Sequence, residues 1–247
     1  MIKSIFLLFL FLLPFSVFSD DIFETGAFYI YSGSGNVLVD IFDNDVVVGK
    51  THIVDIPHTL KTKTNELILY FSDESIVKLY TNTTITVAVF DQEILQLNRL
   101  PSKLKTGKCL LNLSLSDGEV ILSSTEHPSE SSIIVSTPFG DVEITGPSTV
   151  LIKVDAESLL VFSYSGKVTV YSNRGSGNVV DKNNKLTVYP NRFPMRGDTR
   201  KYIVNKKQVD REELSLLQQK LPRQEIDVRG DVFFALINKK PVGINIH

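Results

Sequence analysis

Short apolar runs, interrupted at regular intervals by turn residues, occupy most of the chain. Segments 27–31, 36–41 and 46–53 are separated by Ser32-Gly33-Ser34-Gly35 and Asp43-Asn44-Asp45. Such clusters favour turns because Gly, Asn and Asp tolerate left-handed backbone and bond locally to the main chain. Segments 66–71, 76–80 and 85–90 continue the rhythm. Within 76–80, Ile76, Lys78 and Tyr80 face one way and Val77 and Leu79 the other, the period-two pattern of a sheet with one face on a core. Asp117-Gly118 between 109–115 and 119–122 predicts a hairpin turn. Beyond a polar link at 126–132, runs at 133–136, 141–145, 149–154, 159–164 and 167–171 alternate with Gly146-Pro147, Asp155-Ala156-Glu157 and Ser165-Gly166.

No segment between these runs has the length and 3.6-residue period of a crossover helix, so the pattern predicts an all-β body over 20–192. Periodicity leaves an antiparallel sandwich, a roll and a short β-solenoid open, since each buries one face of every strand. The stretch from Tyr31 through Gly35 to Asp40 echoes that from Tyr171 through Gly177 to Asp181. Two copies do not establish a solenoid.

The pattern changes after Tyr189. Pro190-Asn191-Arg192-Phe193-Pro194 closes the strand-rich region, and 193–247 reads as a small helix-containing extension. Its helix is expected over 210–221, capped by Asp210 with Glu213 placed to reciprocate and stopped by Pro222. Leu214, Leu217 and Leu221 form a stripe suited to docking on the β body. A last strand is expected over 231–237.

The amino terminus decides the compartment. Fourteen of the first 19 residues are apolar. Lys3, the apolar run 5–13, the break at Pro14 and Val17-Phe18-Ser19 match a secretory signal peptide over 1–19. The apolar stretch is too short for the roughly 20 residues of a spanning helix, so no membrane span is expected after cleavage. A periplasmic or secreted location follows as the expectation. The net charge of −2 argues against a nucleic-acid partner, and the single cysteine excludes a disulfide framework or a cysteine-rich zinc module.

Candidate chemistry is sparse. His52 and His58 are poorly spaced for a metal in a strand-and-turn setting, His127 lies in a polar link and His247 is terminal. Asp40, Asp43 and Asp45 lack the continuation of a calcium loop. Cys109 has no histidine near it in sequence, although distant residues can meet in space. Asp73 with Glu74, and Asp141 with Glu143, are carboxylate pairs at bends without the cleft that an acid–base pair requires. Gly33, Gly35, Gly175 and Gly177 have no βαβ context for a dinucleotide. The expectation is no catalytic, cofactor-binding or metal residues, no cofactor and no enzyme activity.

Two blocks carry a family resemblance. Residues 67–79, Leu-Ile-Leu-Tyr-Phe-Ser-Asp-Glu-Ser-Ile-Val-Lys-Leu, are followed by Gly118-Glu119-Val120-Ile121-Leu122 and Ile134-Val135-Ser136-Thr137-Pro138-Phe139-Gly140. Together with Val142-Glu143-Ile144-Thr145-Gly146 and Gly166-Lys167-Val168-Thr169-Val170, they resemble the FecR family of periplasmic signalling domains over about 60–171. Asp73-Glu74-Ser75 stands where the family often has Asp-Gly-Ser. The resemblance implies a noncatalytic extracytoplasmic domain for sensing or interaction, with an envelope or cell-surface protein as partner. Only four residues precede the apolar run, so a stand-alone exported form without a cytoplasmic anti-sigma region is expected. The alternative functions are a carbohydrate or small-ligand binding domain and, behind it, a glycan-processing envelope enzyme.

Overall fold

The computed structural model describes residues 23–26, 28–31, 40–41, 44–45, 51–52, 57–64, 66–93, 107–128, 130–172, 177–192 and 201–220. Segment 1–19, expected as a signal peptide, the Gly-Ser turns expected at 32–35 and 173–176, and the strand expected over 231–237 lie outside the described residues.

The chain begins with β1 (Phe23–Thr25), β2 (Phe28–Tyr31), β3 (Asp40–Ile41), β4 (Asn44–Asp45), β5 (Thr51–His52) and β6 (His58–Lys61). Longer strands follow: β7 (Leu67–Phe71), β8 (Ile76–Leu79), β9 (Thr84–Glu93), β10 (Cys109–Ser124), β11 (Ser132–Thr137) and β12 (Gly140–Ile144). The last group is β13 (Ser148–Val154), β14 (Leu159–Ser165), β15 (Lys167–Tyr171), β16 (Asn178–Asp181), β17 (Asn184–Pro190), β18 (Tyr202–Gln208) and the helix α1 (Arg211–Gln218). The fold is all-β with one small helix, as the turn spacing predicts. Beyond that reading, β18 carries the sheet past Pro190, pairing along its whole length with β17 from Asn184↔Gln208 to Pro190↔Tyr202.

Two sheets share one strand. In the first, β9 pairs with β1, β6 and β10, and the order runs on through β11, β12, β15 and β16. The second runs β5, β2, β7, β8, β10, β13, β14, β17, β18. All these pairings are antiparallel except that of β10 with β11, which is parallel. A separate ribbon joins β3 to β4.

The shared strand corrects the hairpin expected at Asp117-Gly118. β10 continues through this dipeptide for 16 residues. Its first half lies between β9 and β11, with Leu113 opposite both Val87 and Val135. Its second half lies between β8 and β13, with Val120 opposite both Leu79 and Ile152. The Asp-Gly pair makes a bulge instead of a turn: the register against β9 shifts between Leu115 and Asp117, and Gly118 has φ +102°. Bulges with a positive-φ glycine bend a strand without ending it, and strands that switch sheets do so at such bends. Thr83 mends the backbone there, its hydroxyl accepting from the Glu119 amide at 3.0 Å and donating to the Glu119 carbonyl at 3.1 Å. Thr83 is itself buried, and its own amide donates to Thr62 Oγ1 at 2.9 Å.

The inner faces of both sheets form one core. Leu111, Leu113, Val87, Val135, Val142 and Val170 from the first sheet meet Leu69, Val77, Val120, Ile152, Val161 and Leu186 from the second. The first sheet alternates buried with partly exposed positions, as in β12 and β15. Central strands of the second sheet are buried on both faces, and β7 is buried at every residue. Their outer face presents Ile121, Leu151, Phe162 and Tyr164, against which Leu214 and Leu217 of α1 pack. Two tyrosines complete this docking. Tyr164 Oη donates to the Leu217 carbonyl at 2.8 Å, beside the Lys220 amide at 3.0 Å, and Tyr80 Oη donates to the Lys220 carbonyl at 2.7 Å, so both tyrosines hold the end of the helix to the sheet. At the other end Asp210 caps the Glu213 amide at 2.9 Å. Glu213 does not return to the cap, because its carboxylate pairs with Lys185 on β17.

A Cβ at position 118 would lie 2.5 Å from Thr83 Cα, on backbone that L-residues rarely adopt. Gly118→Ala should therefore lower the unfolding free energy by about 2–4 kcal/mol, measured by urea titration. A variant as stable as the parent would contradict this account of the crossing.

Candidate functional site

Two features stand out: an open sheet edge and a buried polar cluster. The edge is β18. It bonds to β17 on one side and ends the strand order on the other among the described residues. Tyr202 and Val204 turn inward onto the core, and Tyr202 Oη donates to the Pro138 carbonyl at 3.0 Å. The alternate residues Ile203 and Asn205 face out, and Ile203 is 41% exposed. Lys206 reaches Asp181 on β16 at 3.4 Å, so the terminal strands of the two sheets approach each other. Lysines on an edge discourage indiscriminate strand pairing.

Ile203 also borders an open depression with Tyr189, Pro190, Asn191, Arg192 and Glu157, which continues past Asp155 and Thr187. Both carboxylates there already have partners. Glu157 pairs with Arg192 at 2.8 Å. Asp155 accepts from the amides of Glu157 at 2.9 Å and Ser158 at 2.7 Å, and the bond from the Glu157 amide leads in holding its carboxyl below the ordinary range. A glycosidase needs one carboxyl kept protonated, and Asp155 is shifted the opposite way.

The buried cluster lies where three segments meet. Asp73, fully buried in the β7–β8 turn, accepts from the Ser75 amide and the Ser75 hydroxyl, each at 2.9 Å. Glu74 between them has φ +68°, a conformation that glycine adopts without the steric cost of a side chain; this accounts for the Asp-Gly-Ser pattern from which the sequence departs. Cys109 opens β10. Its amide donates to Ser131 Oγ at 3.0 Å, and its thiol lies 3.3 Å from Asp73 Oδ2 as donor. His127, in the link after β10, has a side chain only 4% exposed, with Nε2 3.9 Å from Asp73 Oδ2. Among the described residues, neither of its ring nitrogens has a hydrogen-bond partner.

Cys, His and Asp are the residue types of a nucleophilic triad, but their arrangement here is not one. Burial foremost, then the charge of Asp73 and the hydrogen bond to it, push the Cys109 thiol up well above its ordinary value. Reactive cysteines instead occupy electropositive, partly exposed surroundings that favour the thiolate. Among the described residues, His58 and Glu143, also singled out in the sequence, do not join this cluster. His58 sits against the Phe28 ring, with centroids 6.3 Å apart, and Glu143 accepts from Tyr171 Oη at 2.9 Å on the exterior of β12. Asp40 and Asp45 are opposite each other in the β3–β4 ribbon. Residues 73, 109 and 127 are too far apart in sequence to be read as a group. The one available signal was an unpaired cysteine at the start of a strand.

Residues 58–169 match the family model described as FecR protein, so the chain carries a FecR-like domain over that span. Two crystal structures of a candidate anti-sigma factor from Parabacteroides distasonis ATCC 8503 are similar. One, at 1.65 Å resolution, has 18% identity and a TM-score of 0.44 over 66% of this chain and 65% of that one. The other, at 2.50 Å, has 17% identity and a TM-score of 0.46 over 66% and 64%. The chain thus spans slightly less than two thirds of those proteins. No curated protein matches.

The raised thiol has a consequence for stability. The native thiol keeps its proton above pH 9.0, the ordinary thiol pKa, while the unfolded thiol loses it. Its contribution is therefore complete below pH 9.0 and is lost as pH rises beyond it. In metal-free buffer the parent should lose stability faster than Cys109→Ser above that pH, by up to about 1.4 kcal/mol per pH unit. Parallel pH profiles in denaturant titrations would refute a protonated buried thiol.

Proposed function

We propose that this chain is a noncatalytic extracytoplasmic interaction domain that binds an envelope or cell-surface protein through the open edge of β18. The observation that carries the reading is the edge itself: Ile203 and Asn205 face out from a strand whose Tyr202 and Val204 are anchored in the core. An exposed edge on a rigid sheet offers main-chain hydrogen bonds for affinity and alternate side chains for specificity. The FecR-like match over 58–169 supports a noncatalytic signalling role at the level of the family. It also supports placement outside the cytoplasm, in keeping with the signal-like segment 1–19. Among the described residues no helix is long and apolar enough to cross a membrane.

A photo-crosslinker placed at Asn205 in the native cells should give one discrete protein adduct, and Ile203→Lys should reduce its yield about tenfold. The same probe at Leu216, exposed on α1, should not give that adduct. Absence of an adduct at position 205, together with selective retention of the protein on a glycan, would overturn the reading in favour of carbohydrate binding.

A further inference from the structure

The buried cluster is unexplained by an interaction edge. We propose that Asp73, Cys109 and His127 form a site for one thiophilic divalent d-block cation, of which Zn(II) is the reference. Each of the three side chains places a ligating atom within 4.8 Å of the other two. Four-coordinate zinc, with bonds of about 2.0–2.3 Å, separates its ligand atoms by about 3.3–3.8 Å. The sulfur and imidazole nitrogen lie 3.3 and 3.9 Å from Asp73 Oδ2, so small side-chain adjustments suffice.

His127 supplies the independent indication. Its side chain is 96% buried, the complement of its 4% exposure, yet neither ring nitrogen has a hydrogen bond among the described residues. Buried polar groups are nearly always satisfied, and an exception calls for an absent ion or water. The donor set selects the ion. Sulfur with imidazole suits zinc and its neighbours, whereas calcium and magnesium require oxygen ligands. Supporting contacts are in place: Ser75 holds both carboxylate oxygens of Asp73, and Ser131 fixes the backbone of Cys109. Such outer contacts orient metal ligands. Binding displaces the thiol proton to solvent and leaves the fourth position to water. The ion ties the β7–β8 turn to the start of β10 and to the link that follows β10, so its role is to fasten these segments.

The test uses the full chain without an affinity tag, stripped with chelator and titrated with Co(II) as a spectroscopic stand-in. One equivalent should bind with a sulfur-to-cobalt charge-transfer band, and Zn(II) should displace it. Cys109→Ser should abolish the band, and His127→Gln should weaken binding at least tenfold. Zn(II) should raise the melting temperature of the parent and have little effect on His127→Gln, a variant that removes no hydrogen bond seen in the structure. Absence of the band in folded parent protein at saturating Co(II) would overturn the proposal without recourse to any variant. Equal affinity and equal thermal shift in parent and His127→Gln would overturn it as well.

Discussion

The fold depends on one strand serving two sheets. The passage of β10 from one sheet to the other at Gly118 places Leu111, Leu113 and Leu115 on the same core as Val120 and Leu122. Continuity across the bend needs a backbone that turns without ending, which the positive φ of Gly118 permits. It also needs replacement partners where the ladder is interrupted. Thr83 contributes to them with one hydroxyl that accepts from the Glu119 amide and donates to the Glu119 carbonyl, which also takes the Tyr80 amide at 3.0 Å. An unsatisfied amide or carbonyl at that depth is costly, so this side chain is as much a part of the crossing as the glycine.

Much of the architecture was legible because each sheet leaves its own trace. Strands of the first sheet have one buried face, and Val142 and Ile144, or Val168 and Val170, stand at alternate positions. Strands of the second read as nearly unbroken apolar runs, such as 159–162, since α1 and its flanking residues cover the outer face there. The misreading at Asp117-Gly118 has a physical origin. The local preference of Asp-Gly is satisfied equally by a hairpin and by a bulge, and only the neighbours, β9 and β11 on one side and β8 and β13 on the other, decide between them. β18 escaped notice for a related reason. With one face exposed and Lys206 and Lys207 in its run, an edge strand lacks the apolar density by which central strands announce themselves.

The candidate sites were less accessible. Whether Ile203 faces solvent depends on the register of β18 against β17, which follows from Tyr202 and Val204 reaching the core. Asp73, Cys109 and His127 meet because a turn, a strand start and a connecting link converge at one end of the sandwich. Nothing local to any of the three residues encodes that convergence. The Asp73-Glu74-Ser75 turn is visible as a motif, but in sequence its carboxylate reads only as one of a pair at a bend without a cleft. Burial and the two bonds from Ser75 instead make it an anchor for the cluster.

The most direct measurement of the central claim is the pattern of cross-strand proton contacts around β10 in solution by NMR. A continuous strand predicts backbone contacts from Leu113 to both Val87 and Val135, and from Val120 to both Leu79 and Ile152. Contacts between Ser116 and Glu119 across a two-residue Asp117-Gly118 loop, with Leu113 and Val120 on separate paired strands, would contradict it.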